Sequence, residues 1–113
     1  VRTEDRFEIP ELEVIGRFTC LAAPVQAEGS VASSAFFFRA RHEGWSFAVA
    51  PSPSVDPADI RHPTQGFLRE GIYGSTRSEA SWMTLADARD IIERCAREFL
   101  HQLPPGPPAG SAG

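Results

Sequence analysis

Lysine and asparagine are absent from these 113 residues, and cysteine, tyrosine and methionine are scarce, with two, one and one copies respectively. Without lysine there is no side-chain amine for a Schiff base or a phosphate loop; without asparagine there is no acceptor for N-glycosylation. Both residues are encoded by A-rich codons, so their absence points to a high-GC genome, and the chain reads as bacterial. All eleven basic residues are therefore arginine.

No apolar run approaches the roughly 20 residues of a membrane span, and the acidic start of the chain is unlike the basic start of a signal peptide. The expectation is a cytoplasmic protein with no membrane partner. Cys20 and Cys95 show no metal-ligand spacing and are expected to stay reduced. Glycine-rich phosphate loops, paired-histidine zinc helices, Gly-x-Ser-x-Gly elbows and Cys-x-x-Cys pairs are all missing, which lowers the prior for an enzyme. The three histidines, His42, His62 and His101, lie far apart in the chain, so neither a metal nor a cofactor is expected. A net charge of -4 argues against general nucleic-acid affinity, leaving protein or small-molecule partners.

The heaviest apolar load lies between Ala35 and Ala50, where two runs alternate at period two around Arg41-His42-Glu43-Gly44. Two registers fit. A three-residue loop with a bulge at Gly44 sets Phe36 and Phe38 beside Ala48 and Ala50. A four-residue loop sets them beside Trp45, Phe47 and Val49, and it is preferred because every large side chain then shares one face, with Gly44 free to take a positive φ. Phe37, Arg39 and Arg41 fall on the other face. They offer an aromatic and two cations to an acidic partner or nucleic acid, but cross-strand pairing of the arginines with Glu13 or Glu70 is the favoured reading.

Around this hairpin the chain divides into a flexible segment over 1–10, a single α+β domain over 11–103 and a disordered Pro/Gly-rich tail over 104–113. Leu12 to Ala22 reads as a half-buried strand with Val14, Phe18 and Cys20 inward. Gly16 in that row marks a bulge or a place where Trp45 or another large side chain needs room. Pro24 to Ser30 reads as a loop. Pro51 to Gly66 holds four prolines, which excludes a central strand; Asp56 before Pro57 predicts an N-cap and one short turn through Ile60. Phe67 to Tyr73 reads as a strand and Ala80 to Met83 as a short edge strand. From Leu85 to Leu103 apolar residues step by three or four behind a Thr84 cap, predicting one amphipathic helix. The fold expected is α+β, an antiparallel meander of about four to five strands with a C-terminal helix on one face.

A connection as long as 51–66 in a compact domain is often functional, and it holds Asp56, Asp59 and His62. These three form a candidate acid-base group, although capping and turn formation explain the aspartates as well. Trp82 reads first as a plug beneath the loop and second as an exposed anchor for a partner. The candidate binding residues are Asp56, Asp59, His62, Arg69 and Trp82. The favoured function is a non-catalytic accessory or protein-binding domain, with a protein partner or a second copy of the chain. The alternative is a small-ligand-binding domain or small enzyme, its pocket between sheet and helix and Asp59, His62 or Arg69 at the mouth. Immunity proteins, secretion chaperones and small ligand-binding domains all share this architecture, which does not choose among them.

Overall fold

The alternation between Ala35 and Ala50 builds two strands of a six-stranded antiparallel meander. The computed structural model describes residues 6–21, 24–74 and 79–102; the expected tail and residues 1–5 lie outside that set. The strands are β1 (Arg6–Ile9), β2 (Val14–Leu21), β3 (Val25–Val31), β4 (Ser34–Arg41), β5 (Gly44–Val49) and β6 (Phe67–Ile72), followed by the helix α1 (Leu85–Gln102). Each strand pairs with its neighbours in chain order.

The β4–β5 register is the preferred one: Phe36 faces Val49, Phe38 faces Phe47 and Ala40 faces Trp45. Phe36, Phe38 and Phe47 are fully buried on the face that meets α1. An aromatic relay crosses that interior, with Phe36 stacked on Phe47 at 5.4 Å, Phe47 edge-on to Phe67 at 6.2 Å, and Phe67 edge-on to Phe99 of the helix at 5.3 Å. The positive φ expected of Gly44 belongs instead to His42, at 59°.

Three expectations are corrected. Residues 6–9 are not a lead-in but β1, placing Phe7 and Ile9 in the core opposite Gly16 and Val14. Pro24 to Ser30 is not a loop: Val25, Ala27 and Val31 are fully buried at period two in β3. Ala80 to Met83 is not a strand, because Glu79–Trp82 winds into a 3-10 turn with Ala80 and Met83 buried.

Gly16 and Gly29 face each other across β2 and β3. A Cβ on Gly29 would lie 2.6 Å from the Gly16 Cα, and one on Gly16 would lie 2.7 Å from Phe7 Cζ and 3.0 Å from Phe36 Cζ. The room at Gly16 is thus taken by Phe7 and Phe36 rather than Trp45, and the bulge lies further on, between Phe18 and Cys20. It switches the parity of β2, so that Leu21 pairs with the buried Val25 while Cys20 pairs with Gln26, and the inward position expected for Cys20 is lost.

Helix α1 starts behind the expected cap, with the Asp87 amide donating to Thr84 Oγ1 at 3.0 Å. Ala88, Ile91, Ile92, Cys95, Ala96 and Phe99 form its buried stripe. Only two residues apart on its first turns, Asp87 accepts from Tyr73, just past β6, while Arg89 donates to the Glu8 carbonyl in β1 at 3.1 Å. Both edges of the sheet are thereby tied to the first turns of α1.

Truncating Phe38 removes a fully buried ring from the centre of this core. Phe38→Ala is expected to destabilise by about 3–5 kcal/mol, measured by urea unfolding, with an unchanged far-UV spectrum at low denaturant.

Candidate functional site

With the inner face filled by α1, the long connection settles on the outer face of the sheet and works as a strap. Its anchor is Ile60, buried against Ala48 and Leu68 with Val55 alongside. Its turn forms as the sequence predicts: Asp56 Oδ1 accepts from the Ala58 amide at 2.9 Å, and Pro57–Asp59 makes one 3-10 turn. Beyond it Gln65 Oε1 accepts from the amides of Arg61 and His62 at 2.7 and 3.0 Å, closing a second turn. A segment rich in proline thereby supplies its own polar partners and needs few from the sheet.

Between strap and sheet lies a cleft of about 310 Å³. Arg39 and Arg41 reach it from β4, Glu70 from β6 and Arg61 from the strap, with Phe37 and Leu68 among its apolar walls. Three guanidiniums thus meet one carboxylate in a chain whose net charge is -4. Arg61 Nη1 is engaged by the Ala58 carbonyl at 2.5 Å. Arg39 is only partly exposed, and its Nε is buried without a hydrogen-bond partner among the described residues. The cross-strand pairs expected for Arg39 and Arg41 do not form among the described residues, where the ion pairs are Arg17 with Glu28, Arg69 with Glu98, and Arg97 with Glu93. The register explains the case of Glu70: Ser46 stands between Arg39 and Glu70, leaving them two strands and about 10 Å apart.

The candidate residues do not converge. Asp56, Asp59 and His62 are all exposed on the strap, with Asp56 committed to its cap. Arg69 is on the opposite face of the sheet, its Nε 2.9 Å from Glu98 Oε1 and its guanidinium 4.4 Å from the centre of the Phe67 ring. Trp82 is 67% exposed beside the start of α1, so the plug reading is overturned and the anchor geometry remains. No group of three or more metal-ligating side chains occurs among the described residues. Arg61 escaped the sequence reading altogether: nothing in its local pattern says that the strap folds back over β4.

The Cys95 thiol is not poised as a nucleophile. Burial pushes the Cys95 thiol up to about 12, with the Glu98 charge adding to the effect, so it stays protonated at neutral pH. No disulfide joins Cys20 and Cys95.

At the end of β6, the Tyr73 hydroxyl donates to Asp87 Oδ2 at 2.6 Å and links the sheet to the first turn of the helix. The hairpin tip is tied to the same region, the His42 amide donating to Ser81 Oγ at 2.8 Å and the His42 carbonyl accepting from the Ala80 amide. The chain matches no protein-family model, and neither a curated protein nor a solved structure is similar to it to a significant degree.

The hydrogen bond to Asp87 is the first cause raising the Tyr73 phenol above its ordinary value of 10.0, followed by desolvation and the Asp87 charge. A raised phenol pKa means that this contribution to stability is intact at neutral pH and is lost as pH climbs through the folded-state value. Tyr73 is the sole tyrosine of the chain, so an absorbance titration near 295 nm reads it alone. Its midpoint is expected above 10.0 in the native protein and nearer 10.0 in Asp87→Ala.

Proposed function

We propose that this chain is a non-catalytic protein-binding domain of the bacterial cytoplasm, and that its recognition surface is the strap with the outer face of the sheet. One observation carries the reading: a pinned, self-capped connection stands over an arginine-lined cleft while the opposite face is filled by the helix. The packing of Phe36, Phe38, Phe47 and Ile92 fills the middle of the space between sheet and helix and weighs against the alternative pocket, for which an open depression of about 420 Å³ remains at the β6 edge, with Arg69, Cys95 and His101 among its walls. Asp59 and His62 are exposed at the strap's surface, where a partner meets them without any change in the sheet. A lysine-free, asparagine-free composition supports the bacterial assignment, and two cysteines without a disulfide support a reducing compartment.

The test compares two triple variants in affinity capture from an extract of the source organism, read by quantitative mass spectrometry. Asp56→Asn, Asp59→Asn and His62→Gln alter the strap while leaving an N-cap acceptor at position 56. Asp90→Asn, Glu93→Gln and Arg97→Gln alter the exposed side of the helix. The strap variant is expected to lose its specific partner at least tenfold while both variants keep the melting temperature within about 5 °C. Loss in the helix variant with full retention in the strap variant would place recognition on α1 and overturn the assignment.

A further inference from the structure

The arginine cleft does not end beneath the strap. Phe37, Pro57 and Ala58 also wall a second depression, which runs on toward β3 and is bordered there by Glu28 and Asp56. The combined groove thus changes character along its length, from Arg39, Arg41 and Arg61 with Glu70 at one end to Glu28 and Asp56 at the other, with Phe37 in between; Glu28 is shared with the exposed Arg17 at 3.6 Å, and Asp56 caps its turn through Oδ1. We infer that it holds a short extended segment of the partner protein, acidic at the arginine end, apolar over Phe37 and basic toward Glu28 and Asp56.

Three features of the groove favour this occupant. Guanidiniums pair with carboxylates in a planar, bidentate fashion, and of the three here Arg61 is held by the Ala58 carbonyl while Arg39 and Arg41 have no ion-pair partner among the described residues, which leaves them open to a carboxylate from outside. Arg39 Nε, buried and without a partner among the described residues, is a donor whose cost a bound carboxylate relieves by drawing the guanidinium into a paired geometry. Finally, a nucleic-acid strand carries the same charge at every step, so the phosphates that gain at the arginines are repelled at Glu28 and Asp56. A polypeptide can change sign within a few residues, and an extended one rises about 3.3 Å per residue, so six residues reach about 20 Å, roughly the span of four to five strands.

The inference rests on the outer face being a protein-recognition surface and adds what that surface recognises. The probe is the fluorescein-labelled peptide acetyl-Glu-Glu-Leu-Gly-Arg-Arg-amide, titrated with the full chain and followed by anisotropy. Binding is expected to weaken at least tenfold when both glutamates become glutamine, or when the two arginines of the peptide become glutamate. Arg39→Gln is expected to weaken it at least tenfold and the exposed Arg41→Gln about threefold to tenfold, whereas Arg94→Gln on the helix leaves it unchanged. Because Arg39 is partly buried, a thermal melt accompanies that variant, and Arg41→Gln carries the argument if Arg39→Gln does not fold. Absence of binding at millimolar protein, equal binding of the glutamine peptide, or displacement of the probe by less inorganic phosphate or oligothymidylate than unlabelled peptide each overturns the inference. If it fails while capture of a protein partner still depends on the strap, the proposed function stands. If the peptide binds as expected but capture is indifferent to the strap, the groove stands and that function falls.

Discussion

The packing of the sheet's inner face against α1 is the constraint on which the rest depends. One helix stripe, Ala88 through Phe99, joins a single core that takes buried side chains from all six strands. At roughly 25 cal/mol per Å² of apolar surface, burial of the aromatic relay alone is among the largest favourable contributions in a domain of this size. Side chains fill the centre of this interface, and what space remains lies in open depressions, one of about 420 Å³ between β6 and α1 with Arg69, Glu98 and His101 along it and another beneath the strap on the outer face.

On that face the stabilising resources are modest. Ala48, Ile60 and Leu68 form a small apolar cluster, and the strap keeps its shape through the Asp56 cap and the Gln65 side chain. Arg39 sits where these two regimes meet, close enough to the strap to lose water and too far from Glu70 to gain a partner. A buried donor left without an acceptor costs about 1–3 kcal/mol, and such a cost is commonly retained where a binding partner removes it.

Much of the architecture was legible because period-two patterns with large side chains have only one economical arrangement. Placing Phe36, Phe38, Phe47 and Val49 together selects one hairpin register, and the Thr84 cap with its amphipathic stripe selects one helix. The β3 strand was hidden for an identifiable reason. Its turn is Ala32-Ser33, with φ of 49° and 71°, in a chain that has no asparagine and spends its glycines elsewhere. Positive φ at both residues is the mark of a tight hairpin, ordinarily announced by Asn-Gly or Asp-Gly, and here the announcing residues are missing. Gly29, which looked like loop composition, instead permits the close approach of β3 to Gly16. The same holds for the site. Phe37, Arg39 and Arg41 were visible as one face of a strand, but Arg61 joins them only through the path of the strap, which no local pattern encodes.

Chain-order pairing has a consequence for how the protein is made. Each hairpin from β1 to β6 needs only its immediate neighbour, so pairing can begin while synthesis is still under way. The helix that fills the sheet's inner face is translated after every strand, and its bond to Glu8 spans 81 residues. Until α1 emerges, Phe36, Phe38 and Phe47 line an uncovered apolar surface flanked by two unpaired strand edges, the kind of intermediate that aggregates or engages chaperones. The vulnerable interval in the life of this domain is therefore set by the time the ribosome takes to release α1.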